Sequence, residues 1–125
     1  MKIKNGALLC TIGLASLAYA AKPWDATYTT FSGEYLIYSG QLGEEAAPTA
    51  NDRKAALMLE GEAAKNLFGA IGPDIKDACG ASSGLRIRDK GDLVCTYDKD
   101  DRRAPYTCHF GINLQTGKSI RGASC

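Results

Sequence analysis

Hydrophobic and polar residues change their spacing twice along the chain, from extended runs to a helical period and back, and each stretch predicts its elements. Glu34-Tyr35-Leu36-Ile37-Tyr38 lies between Gly33 and Gly40 and is rich in strand formers, which predicts a first strand. Tyr35 and Ile37 share one face and Leu36 and Tyr38 the other, so this strand is expected to be central or covered on both sides. Asp52 to Glu60 predicts a second strand, ended by Gly61. From Glu62 to Ile71 the spacing shifts: Ala64, Leu67, Phe68 and Ile71 fall at i, i+3, i+4 and i+7 while Glu62, Lys65 and Asn66 face away. That is one amphipathic helix, stopped by Gly72-Pro73.

Beyond Cys79 the pattern returns to short extended runs. Leu85–Arg88, Leu93–Tyr97, Tyr106–Leu114 and Lys118–Ser124 are candidate strands, with turn chemistry at 89–92 and 115–118. A longer loop, Asp98 to Pro105, separates the middle pair. The expected fold is α+β, an antiparallel meander with one helix packed on it. The acidic stretch Gln41 to Asn51 is expected to be a solvated connector.

The chain opens with Lys2 and Lys4, continues apolar to Ala18, and reaches the small-x-small pattern Ala18-Tyr19-Ala20. This is the layout of a secretory signal peptide over residues 1–20, with an apolar run too short for a bilayer, which takes ~20 residues. Export to the periplasm and a single domain over residues 21–125 follow as expectations, with no membrane span after cleavage. Four cysteines remain: Cys79, Cys95, Cys108 and Cys125. Their spacings of 16, 13 and 17 positions do not suit zinc, and an even count in a short exported chain predicts two disulfides.

Register narrows the pairing. If Tyr97 faces Tyr106, Cys95 lies opposite Cys108; if Gln115 faces Lys118, Cys108 lies opposite Cys125. Cys95 and Cys125 would then stand two strands apart, ~9.6 Å, beyond disulfide reach. Two pairings remain: Cys79–Cys95 with Cys108–Cys125, the preferred one, or Cys79–Cys125 with Cys95–Cys108.

Residues 21–78 hold five basic and nine acidic side chains, and residues 79–125 hold eight and five. The second half is the cationic one. Outside the cytoplasm this favours an acidic protein cleft or an anionic envelope polymer over nucleic acid.

No motif points to catalysis or a cofactor. His109 has Thr107 and Gly111 as its strand neighbours, neither of them a base or a metal ligand. Ser82-Ser83-Gly84 lacks the G-x-S-x-G elbow. Asp98-Lys99-Asp100-Asp101-Arg102-Arg103 starts like a calcium loop but puts Arg102 where an oxygen ligand belongs. Glu34, Glu60 and Asp92 could serve sugar chemistry only if the fold joined them.

I-G-P-D (71–74), R-I-R-D-K (86–90), V-C-T-Y (94–97), Y-T-C-H-F-G-I-N-L (106–114) and T-G-K-S-I (116–120) together resemble a group of small exported proteins of Gram-negative bacteria. The resemblance implies an envelope location and no assigned activity. Ser83-Gly84-Leu85-Arg86-Ile87 also resembles part of the S-G-x-R-Y loop of periplasmic lysozyme inhibitors, with Ile87 in place of the tyrosine.

These features lead to the expectation of a non-enzymatic periplasmic protein that neutralises another protein, an inhibitor or immunity factor against a wall-degrading enzyme. The alternative is a component of an envelope secretion or conjugation machine. Candidate partner-binding residues are Arg86, Arg88, Arg102 and Arg103 for charge and Tyr97 and Tyr106 as aromatic anchors; no metal or cofactor is expected.

Overall fold

A computed structural model describes residues 23–78 and 80–124. Residues 1–22, where the signal peptide is expected, and Cys79 and Cys125 lie outside the described residues. The elements run β1 (Ser32–Gln41), β2 (Glu44–Ala46), β3 (Lys54–Glu60), α1 (Gly61–Ala70), β4 (Leu85–Lys90), β5 (Leu93–Asp98), β6 (Tyr106–Asn113) and β7 (Ser119–Ile120). The strands form one antiparallel sheet in the order β2-β1-β3-β6-β5-β4, with β7 also on β6. The α+β arrangement of a sheet with one packed helix is therefore present.

β3 passes directly into α1. Gly61 makes this possible: its φ of +69° is a conformation that only glycine adopts without cost. The helical stripe then lies across β6 with β3 and β5 on either side. Ala64 and Phe68 are buried with Cys95 and Cys108, and Leu59, Leu67, Ile71, Leu93, Tyr97 and Tyr106 pack around them. A helix of 10 residues is only ~15 Å long, so it cannot cover a seven-stranded sheet. Tyr35 and Ile37, on the helix side of β1, remain exposed.

Four expectations need correction. β1 is not a covered strand: it lies next to the sheet's margin, and Tyr35, Leu36 and Ile37 are all exposed. The 41–51 connector contains β2, which folds back on β1 with Ser39 opposite Ala46.

The last strand is Ser119–Ile120 rather than Lys118–Ser124, because its turn is wider than expected. Asn113 N–H donates to Lys118 O at 2.8 Å, and the Asn113 side chain accepts from the N–H groups of Gln115 and Thr116. The register is thereby shifted to Gly111 opposite Ile120.

The preferred cysteine pairing also fails. Cys95 and Cys108 are bonded to each other across directly paired strands, Cα to Cα 4.0 Å, and this is the disulfide among the described residues. The error was one of edges. β3 fills one whole edge of β6, with Leu59 opposite Cys108, so β5 and β7 must share the other. Cys108 already faces Cys95 there, and no row of three cysteines can form.

Candidate functional site

Arg86 and Arg88 stand at alternate positions of β4, on the helix side, opposite Tyr97 and Cys95. Both turn to Asp74, in the segment leaving α1. Arg86 donates from Nε and Nη2 to the two Asp74 oxygens at 2.7 and 3.2 Å, and Arg88 Nε donates to Oδ1 at 2.7 Å. These donors, Arg86 first, hold the Asp74 carboxyl at about 2, well below its ordinary value of 3.8.

Arg88 also closes the helix. Its Nη1 donates to the carbonyls of Phe68 and Ile71 at 2.8 and 3.1 Å, groups that a helix C-terminus leaves without partners. The guanidinium carbon lies 4.2 Å from the centre of the Phe68 ring, and that of Arg86 lies at 5.4 Å, within cation–π range. Phe68 meets Tyr106 edge to face at 5.5 Å, and Tyr106 meets Tyr97 across the strands at 4.8 Å. Four predicted site residues, Arg86, Arg88, Tyr97 and Tyr106, are thus gathered around Phe68.

Arg102 and Arg103 lie apart from that cluster, on the exposed loop joining Tyr97 to Tyr106. The loop is braced from within. Asp98 Oδ1 accepts from Asp100 N–H, and Asp101 Oδ1 accepts from Arg103 and Ala104 N–H, so two of the calcium-like carboxylates are used in turns. Lys99 N–H donates to Gly84 O, which ties the loop to the start of β4. Arg103, with 84% of its side chain exposed, stands 3.7 Å from Glu60.

The contact with Glu60 locates this loop relative to a feature that sequence reasoning missed. Glu60 pairs with Ser32, and immediately before Ser32 runs a segment without regular structure that carries exposed Trp24, Tyr28 and Phe31, the last 61% exposed. Thr29 and Thr30 line a cavity of about 330 Å³ with Glu62, Ala63, Asn66 and Leu67 of α1. One end of the sheet therefore presents the aromatic segment, the start of α1 and the arginine loop together. The only signal in the sequence was the aromatic spacing of Trp24, Tyr28 and Phe31 ahead of the first strand.

The opposite face of the sheet holds His109. Two cavities of about 240 and 230 Å³ adjoin it, one lined by Leu36, Leu42 and Met58, the other by Asp89, Thr96, Arg121 and Ser124. Its Nδ1 is buried without a hydrogen-bond partner, and desolvation lowers its pKa below 6.5. Glu34, Glu60 and Asp92 are not joined: Glu60 neighbours Arg103, Glu34 lies on β1, and Asp92 accepts from Ser119 Oγ in the β4–β5 turn. Among the described residues no group of three or more His, Cys, Asp or Glu side chains could hold a metal ion, and no helix is long and apolar enough to cross a membrane.

No protein-family model, curated protein or solved structure matches this chain.

Proposed function

We propose that the protein acts in the periplasm as a non-enzymatic binder that neutralises another protein, an inhibitor or immunity factor against an enzyme that degrades the cell wall. The observation that supports this reading is the end of the sheet where Arg103 of the exposed arginine loop reaches Glu60, which pairs with Ser32, the residue next after exposed Phe31. Aromatic and arginine side chains are the types that carry most of the energy at protein interfaces. The arginines supply the charge that an acidic cleft attracts.

Arg86, Arg88, Tyr97 and Tyr106 take the supporting part in this proposal. Their side chains are engaged with Asp74, Phe68 and each other, so they fix both strands from which the loop projects. A loop fixed in advance loses less freedom on binding.

The test is titration of the protein against a panel of wall-degrading enzymes, reading hydrolysis. Stoichiometric loss of one activity, abolished by Arg102→Glu with Arg103→Glu and weakened by Phe31→Ala, is the expected result. Capture of a multi-protein envelope complex with no enzyme inhibited would move the protein to the assembly alternative. Inhibition untouched by the double charge reversal would remove the loop from the interface.

A further inference from the structure

β1 has an edge without a described partner: over Ser32–Tyr38 it pairs with β3 alone. β2 joins only from Ser39 onward, on the side away from β3.

The direction of the free groups follows from the ladder. Leu114 N–H donates to Arg53 O at 2.9 Å, so the backbone of Arg53 points to β6. Alternation along the strand turns Lys54, Ala56, Met58 and Glu60 to β1. Their partners are Tyr38, Leu36, Glu34 and Ser32. The N–H and C=O groups of Gly33, Tyr35 and Ile37 therefore point outward.

The far margin of the sheet is treated differently. There Ile75 N–H donates to Ile87 O and Ser82 N–H to Leu85 O, and β4 itself carries Arg86, Arg88, Asp89 and Lys90. Covering and charging an edge are the usual defences against strand addition. The 32–38 window has neither covering segment among the described residues nor any Lys, Arg or Pro, and Tyr35 is 76% exposed.

We propose that this edge pairs with the same edge of a second copy of the chain, antiparallel and centred on Tyr35, so that two sheets become one. The window itself selects this register. The seven residues 32–38 run from the chain's entry at Ser32 up to the start of β2 pairing at Ser39, and only a two-fold axis at Tyr35 uses all seven. Outward-facing Gly33, Tyr35 and Ile37 then meet Ile37, Tyr35 and Gly33 of the second copy as hydrogen-bonded pairs. Glu34 meets Leu36 rather than another Glu34, so no like charges face each other. Glycine opposite isoleucine leaves room for the larger side chain. The pairing is independent of the proposed inhibitory function.

Analytical ultracentrifugation of the full chain over a wide concentration range tests it. The expected result is a concentration-dependent dimer that Tyr35→Lys reduces to a monomer with an unchanged circular dichroism spectrum, because two lysines would meet at the axis. Tyr35→Cys is expected to form an oxidation-dependent covalent dimer, since hydrogen-bonded antiparallel pairs stand ~5.5 Å apart, within disulfide range. A wild-type protein that stays monomeric throughout, or a dimer that survives Tyr35→Lys, would overturn the proposal. Addition of a strand from a different protein, with no self-association, would overturn it too.

Discussion

Asp74 holds Arg88 in the position from which it closes α1: the Nε to Oδ1 distance is 2.7 Å, and the same guanidinium bonds the carbonyls of Phe68 and Ile71. The carboxylate is thus the anchor of a helix cap supplied from a strand. Its pKa is depressed in the folded protein, to about 2 from 3.8, so the stabilisation is complete above the unfolded value and is lost as pH falls from 3.8 towards 2. Asp74→Asn is expected to lower the melting temperature at neutral pH and to flatten the acid limb of the stability curve. Thermal unfolding between pH 2 and 7 measures both.

His109 gives a second pH dependence, at higher pH. Burial lowers its pKa below 6.5, so the unfolded chain takes up a proton before the folded one does. Stability is full above 6.5 and declines as pH falls from there towards the folded value. His109→Gln is expected to remove that slope while leaving the Asp74 limb in place, as urea unfolding at pH 7 and pH 5 would show.

Replacing Cys95 and Cys108 together by alanine is expected to cost ~3 kcal/mol, the chain-entropy value for a loop of about this length. Both residues are fully buried against α1, with Cys108 Sγ 3.4 Å from the Ala64 carbonyl oxygen. Denaturant midpoints measure the loss. Mapping of the unreduced protein is expected to recover a peptide pair containing Cys95 and Cys108.

Gly33→Ala tests the tightness of the β1–β3 pairing. A methyl group at this position would collide with the Met58 carbonyl oxygen on the neighbouring strand. The backbone must shift to admit it, at ~1–3 kcal/mol. A urea midpoint equal to the wild type would contradict the close approach.

What the sequence revealed was local. The helical stripe of Ala64, Leu67, Phe68 and Ile71 was legible because its period needs no knowledge of the rest of the fold, and it is the face that packs on the sheet. Tyr97 opposite Tyr106 was legible because the two strands follow one another in the chain, joined by a single loop. The insertion of β3 beside β6 was not: residues 54–60 meet residues 107–113 with no signal in either stretch naming the other. The disulfide pairing failed through that omission.

Arg86 and Arg88 show the same limit in the candidate site. Alternating basic residues in a strand read as a surface offered to a partner, and nothing nearby in the sequence reveals that Asp74 returns to them. The aromatic segment of Trp24, Tyr28 and Phe31 became relevant only when Ser32 was found beside Glu60, and Glu60 beside Arg103.

The Cys95–Cys108 bond spans the loop that carries Arg102 and Arg103. That dibasic pair is exposed and lies outside the strand ladders, within reach of a cut by a trypsin-like protease. Because the bond lies just outside the loop on both sides, such a cut would divide the backbone without releasing either piece. The nicked chain would remain one covalent molecule, its strands still paired, and would fall apart only on reduction.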